Sequence, residues 1–436
     1  MSGGRGPHQS GRDQGLVRAV GVWGFAASIV NGVVGAGIFS LPASMSALAG
    51  AWAPLALLLC ALATGAVVLC AAEASGRVAT SGGAYGYADA AFGPVAAFVT
   101  GSLVWVSSVL SCGGIAAALV DGLAHSFPLL GSPFARSAII TLVIGGMGWI
   151  NIIGVDPAAR LVGILTVIKL VPLFLVVIIG GAVVLGEGSA PIPQQTPPAF
   201  GQAVILALFA FSGMETPLSV SGEVDRPAYT IPRALFIATG FVAGLYIAIQ
   251  LVTQGLLGAD LAGSATPLAD AMGRISPALG ILLLAGASFS RFVWIGSDML
   301  GAPRVLFAFA RDGMLPSWLA GVHPRTHAPH IAIILHGVIA ILLAISGTFE
   351  TLAILAGLAT AGIYILICAS AWRLRRLGIA TEEGAARYAI LPVAATVAIV
   401  SMIAIIAVGA PRDIVGLFLL VILSTVWAVF RRKRLA

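Results

Sequence analysis

Gly32-Val-Val-Gly35-Ala36-Gly37 and Phe211-Ser212-Gly213-Met214-Glu215 are the two stretches that decide how this chain folds. Each interrupts an apolar run that otherwise reads as a membrane-crossing helix. Glycine costs about 1 kcal/mol relative to alanine inside a helix, and a break frees backbone polar groups that lipid cannot satisfy. Such breaks survive where they line a cavity within the protein. Two of them, five apolar segments apart, form the pattern expected of a carrier with its site near the bilayer midplane.

Working outward, the chain has 436 residues, 59% hydrophobic and only 9% charged, with a mean hydropathy of +1.04. No soluble domain could bury that much apolar surface, so the composition defines an all-α polytopic membrane protein. About 20 apolar residues cross the hydrocarbon core, and about twelve such segments can be placed. They run Val17 to Leu48 (broken), Ala51 to Ala72, Val95 to Leu123, Ala135 to Ile153, Pro157 to Val184, Phe200 to Ser221 (broken), Tyr229 to Leu256, Pro277 to Phe309, Pro329 to Ile345, Thr348 to Leu377, Ala386 to Val408 and Asp413 to Phe430.

Basic residues near segment ends stay in the cytoplasm. With the N-terminus inside, eighteen Arg and Lys residues, among them Arg77, Arg233, Arg311 and Arg431, become cytoplasmic, and only Arg136, Arg274 and Arg412 face outward. Both termini are therefore expected inside, in a multi-pass inner (plasma) membrane protein. The net charge of +6 then reflects topology and contact with lipid rather than nucleic-acid binding. The first apolar run is too long for a signal-peptide core and is expected to be a retained helix. Cys60, Cys70, Cys112 and Cys368 fall in apolar segments without metal-type spacing and read as small buried hydrophobes.

Segment one runs from inside to outside and segment six from outside to inside, so a shift of five segments relates helices of inverted topology. The expected divisions are a tail at 1–16, a first five-helix repeat at 17–185, an inverted repeat at 200–378, helices eleven and twelve at 386–430, and a basic tail at 431–436. Thr80 to Tyr87 with Phe92-Gly93-Pro94, and Ala310 to Pro316, read as structured inner connections beside a gate or as ordinary solvated loops.

At the first break, Val33, Val34, Gly35, Ala36 and Gly37 are the candidate substrate residues, because N–H groups at a half-helix start suit a carboxylate. Close packing of small residues is the alternative. At the second break, the carbonyls of Phe209, Ala210, Phe211 and Ser212 suit a substrate ammonium, with Phe209 as an aromatic lid or simply a packed ring.

Three further groups carry possible coupling or pathway chemistry. Lys169, one of only two lysines in the chain, falls within segment five, where it either snorkels or finds carbonyl partners and exchanges a proton. Glu215 carries a proton or caps backbone freed by the break, and Ser290 joins these two as a coupling candidate. Arg291 is expected to pair with Asp298 or Glu215, or to face the pathway. Ser107 and Ser111 share a helix face and line the pathway or bond their own carbonyls. His323, His327 and His330 lack a helical Glu partner, so no metal site is expected.

The chain resembles the amino acid, polyamine and organocation superfamily of transporters over nearly its whole length. Four stretches carry the resemblance: Gly35 to Phe39 with Leu41-Pro42; Ser81 to Tyr85 through Phe92-Gly93-Pro94; Phe209 to Glu215 through Ile231-Pro232-Arg233-Ala234; and Pro303-Arg304 through Arg311 to Pro316. The resemblance implies the leucine-transporter fold, a five-plus-five inverted repeat and alternating access. It implies that the first break binds the substrate carboxylate and the second the amine. It also implies that a helix-five lysine, here Lys169, stands where sodium-coupled relatives bind an ion, which makes the proton the expected coupling ion and requires no cofactor.

The expected function is thus amino acid permeation, with neutral substrates, because helices three and ten offer no obvious acidic residue to receive a second positive charge. An exchanger of amino acids or amines and a transporter-like sensor are the alternatives. An enzyme is disfavoured because no His, Cys and carboxylate cluster converges in the sequence.

Overall fold

The computed structural model describes residues 20–35, 37–78, 82–153, 168–192, 199–219, 224–379 and 388–435. Ala36, Ser81, the tail at 1–16 and the start of segment five lie outside them. Among the described residues, eight helices are long and apolar enough to cross a membrane and four are shorter apolar helices.

The first span is α1 (Val22–Val33) followed, beyond the break, by α2 (Leu41–Ala49). A short 3-10 turn, Gly37–Phe39, joins them. The face of the bundle on which α1 begins is called the near face below. Span two is α3 (Ala53–Ser75), which returns to the near face. There α4 (Gly83–Phe92) forms from the Gly- and Tyr-rich connection. Spans three and four are α5 (Pro94–Ser126) and α6 (Pro133–Ile153), and span five is α7 (Ile168–Glu187).

Span six repeats the design of span one in the opposite direction: α8 (Phe200–Phe211), a break, then α9 (Glu215–Ser219). Span seven is α10 (Pro227–Leu257), and α11 (Pro267–Ile275) covers the far face. The eighth segment, expected as one run from Pro277 to Phe309, divides into α12 (Pro277–Gly301) and α13 (Pro303–Arg311). Pro303 removes a backbone donor and favours a new helix start at that point. Spans nine to twelve are α14 (His330–Ser346), α15 (Phe349–Arg376), α16 (Leu391–Ala407) and α17 (Pro411–Leu435).

The result is an all-α, twelve-span bundle with a five-plus-five inverted repeat, discontinuous spans one and six, and two added C-terminal helices. Its main core gathers side chains from α1, α3, α8, α10 and α15. The outermost helix, α17, has only 11% of its apolar window buried, as expected for a lipid-facing addition. Both inner connections fold onto α5, where Phe309 packs against Phe98 with ring centroids 4.5 Å apart and against Tyr85 at 6.1 Å. On the near face, the Asp225 N–H donates to the Val20 carbonyl at 3.0 Å, tying the start of α1 to the start of α10.

Crossed breaks and a cluster beside them

The two breaks touch. A Cβ on Gly32 would lie 2.7 Å from the Gly213 carbonyl oxygen, and one on Gly213 would lie 2.6 Å from the Gly32 oxygen. Gly213 also has φ of 117°, in the region that favours glycine. These are two positions where glycine is required by close backbone approach. The spans can cross at their breaks only because both lack a side chain there.

At the first break, Val34 turns with φ −73° and ψ 70°, and the Gly35 N–H donates to the Val33 carbonyl at 2.7 Å. In an uninterrupted helix that N–H would serve Asn31. The freed Asn31 carbonyl is taken instead by the Lys169 ammonium at 2.6 Å. Lys169 is 3% exposed, so it does not reach for an interface. The Tyr246 hydroxyl of α10 donates to the Val33 carbonyl at 3.0 Å. Beyond the break, the turn at Gly37–Phe39 opens a helical segment whose first N–H groups have no intrahelical acceptor.

Two aromatic side chains close on this backbone. A Cβ at Gly35 would stand 2.8 Å from the Trp294 ring of α12, and one at Gly37 would stand 3.1 Å from the Phe209 ring of α8. Phe209 also meets Phe349 edge-on, with centroids 5.9 Å apart. Phe209 therefore spans the two breaks and α15.

The second break is supported locally. The Ser212 hydroxyl donates to the Phe209 carbonyl at 2.6 Å and the Ser212 N–H donates to it at 3.1 Å. Ser212 thus donates twice to one of the four carbonyls expected to face an ammonium. The Gly213 N–H donates to Glu215 Oε2 at 2.7 Å, so Glu215 caps backbone freed by the break. The Tyr364 hydroxyl of α15 reaches the Phe211 carbonyl at 3.5 Å.

The remaining candidates separate. Ser111 bonds its own helix through the Ser107 carbonyl at 2.7 Å. Ser107 instead donates across to the Ala356 carbonyl of α15 at 3.2 Å and lies 3.1 Å from Thr360 Oγ1. Ser290 is buried, and its hydroxyl has no partner among the described residues. Arg291 is fully buried and donates to the Ser40 hydroxyl at 2.6 Å. Its expected ion pair with Asp298 does not form, because seven residues along a helix separate the two by nearly two turns and Asp298 has other partners.

Those partners make up a cluster that sequence reasoning missed. Asp298 Oδ2 lies 2.9 Å from His336 Nε2 of α14, and Ser108 of α5 donates to Asp298 Oδ1. Cys112 completes a group whose sulfur, nitrogen and oxygen atoms lie within 4.8 Å of one another. Cys112 is therefore not surrounded by apolar side chains alone. Sequence spacing could not find the group, because its members come from three helices about 190 and 38 residues apart along the chain. Tyr246, Trp294 and Asn31 were missed for the same reason. Asn31 Oδ1 is a buried acceptor without a partner among the described residues. A hollow of about 440 Å³ on the far face, lined by His125, Asp260, Asp270 and Arg274 among others, includes none of the break residues.

Two broken spans crossing at glycines, with a buried cation on one freed carbonyl, define a membrane transporter rather than an enzyme. The chain belongs to the amino acid permease family, whose description matches residues 20–430. Among its relatives, the branched-chain amino acid permease BcaP of Bacillus subtilis is 24% identical over 84% of this chain and 82% of its own length. The serine/threonine exchanger SteT of the same organism is 30% identical over 74% of this chain and 75% of its own. The crystal structure of MhsT in complex with L-phenylalanine shares the fold, with a TM-score of 0.61 at 17% identity, covering 90% of this chain and 99% of that one.

Proposed function

We propose that this protein carries neutral amino acids across the inner membrane by alternating access and couples that movement to protons. The observation that carries the reading is the Lys169 ammonium seated on the Asn31 carbonyl at the first break. The ammonium there occupies a backbone acceptor that a metal cation would otherwise use, and a lysine can release and regain a proton. The substrate carboxylate is assigned to N–H groups around Gly35 to Gly37, and the amine to the second break and Asn31. Val33, Val34, Phe209 and Trp294 give the breaks an apolar lining that suits an uncharged side chain.

The near face is assigned to the cytoplasm, since it carries Arg77, Arg233, Arg304 and Arg311 while the far face holds Arg136 and Arg274. Both termini are then cytoplasmic, and the two repeats occupy residues 17–185 and 200–378. The names of BcaP and SteT, a branched-chain permease and a serine/threonine exchanger, support neutral substrates. They also keep obligate exchange as a second reading, because SteT is named an exchanger.

The test is uptake by purified protein in liposomes under an imposed proton gradient. Accumulation that follows the gradient without sodium supports the proposal. Uptake that requires sodium and ignores pH overturns the coupling, and uptake only with internal substrate selects exchange.

A further inference from the structure

We propose that Asp298 and His336 form a second proton-binding site of this transporter, separate from Lys169. The Asp298 side chain is 5% exposed and the His336 side chain is fully buried. Within ion-pair distance, Asp298 has no lysine or arginine among the described residues, and His336 is its one basic partner. Its two oxygens are taken by the Ser108 hydroxyl and by His336 Nε2.

A lone carboxylate inside a membrane protein is costly, and the pair lowers that cost by holding a proton between two groups that both accept one. His336 Nδ1 is also buried and without a partner among the described residues, as is Trp105 Nε1 on the facing helix. The Trp105 and His336 rings meet edge-on at 6.4 Å.

The groups facing the pair carry no fixed charge among the described residues. Among the described residues, Cys112, Ser108 and Trp105 come from α5, and α14 contributes His336 itself. From α6 come Met147, against Gly296, and the Asn151 amide, which donates to the Gly296 carbonyl at 3.3 Å. On α12 the nearest charge is Arg291, which is directed to Ser40.

Its position ties it to the first break. Arg291, Trp294 and Asp298 lie three and four residues apart and share one face of α12. Arg291 holds Ser40 beyond the break, and Trp294 covers Gly35 within it. Asp298 ends this row on the near side. A proton gained or lost at Asp298–His336 changes how α12 is held between α5 and α14, and so how Trp294 sits on Gly35. A metal ion is the less suited ligand, because the imidazole nitrogen and both carboxylate oxygens already satisfy one another or Ser108.

The link to transport rests on the proton-coupled reading above, whereas occupancy of the pair is measured without substrate. In lipid nanodiscs, the fluorescence of wild type minus Trp105→Phe isolates the indole beside His336. Protonated imidazole quenches an adjacent indole, so this difference should show one step as pH is varied. The step should vanish in His336→Gln and in Asp298→Asn, both checked for unchanged elution and melting. A flat difference signal in wild type, or a step that persists in both variants, overturns the proposal. So does stabilisation by zinc alone in wild type but not in Cys112→Ser, which would make the cluster a metal site.

In liposomes, gradient-driven accumulation should fall about tenfold in His336→Gln while exchange of internal for external substrate continues. Full gradient-driven accumulation in that variant overturns the link to transport. If wild type itself ignores the proton gradient, the coupling reading fails, and the fluorescence step still decides the pair.

Discussion

At the first break, side chains from other spans hold the freed carbonyls: Lys169 of α7 on Asn31 and Tyr246 of α10 on Val33. At the second, neighbours in sequence do the work, with Ser212 on Phe209 and Glu215 on the Gly213 N–H. Among the described residues, Tyr364 is the one hydrogen-bonding side chain that arrives from elsewhere, at 3.5 Å. The first break therefore depends on where α7 and α10 stand. The second keeps its shape through its own residues. A bundle with two pseudo-symmetric breaks can thus make one responsive and leave the other as a fixed reference.

The largest effect is expected where the two breaks meet. Gly213→Ala adds a Cβ 2.6 Å from the Gly32 oxygen at a φ of 117°. Strain and overpacking together should destabilise the protein by about 2–6 kcal/mol. A lowered melting temperature and loss of the monodisperse peak in detergent would register it. A variant that melts like wild type would show that the spans do not touch at these glycines.

Next in size is Lys169→Ala, which leaves the Asn31 carbonyl without its donor. The expected loss is about 1–3 kcal/mol in thermal unfolding. Gradient-driven uptake should disappear along with it. If stability falls but uptake still follows the proton gradient, the first break needs Lys169 only as a support, and the contrast with the second break narrows to one of distance.

Much of this was legible in the sequence, for reasons that differ by feature. Apolar run length gave the spans, because lipid imposes a near-fixed helix length and forbids unsatisfied backbone. Gly32 to Gly37 and Ser212 to Glu215 marked the breaks for the same reason. Lys169 stood out because a charge within an apolar run must have a partner. What the sequence withheld was the identity of partners across helices. Nothing in the runs around Ser108, Asp298 and His336 places them together, and the contact of Arg291 with Ser40 joins residues 251 positions apart. Segment eight was expected as one run because apolar character continues through Phe309, and the division at Pro303 came from the structure.

Glu215 tests whether the second break is independent of protons. Glu215→Gln keeps an acceptor for the Gly213 N–H and should preserve both melting temperature and gradient-driven uptake. Glu215→Ala removes the cap and should lower stability by about 1–2 kcal/mol. Loss of coupling in the Gln variant, with stability intact, would place a titrating group at the second break and remove the asymmetry between the two.

The smallest effect should come from Ser212→Ala, and it sharpens the comparison most finely. The hydroxyl contributes the 2.6 Å bond to the Phe209 carbonyl, yet the Ser212 N–H still donates to that oxygen at 3.1 Å. Removing one of two donors leaves the carbonyl satisfied, so the loss should be about 0.5 kcal/mol. It also frees a lone pair on the carbonyl assigned to the substrate amine. KM for the transported amino acid should therefore stay level or fall. A rise of several-fold would mean that the hydroxyl itself contacts substrate, and that the second break's local support is part of the binding surface.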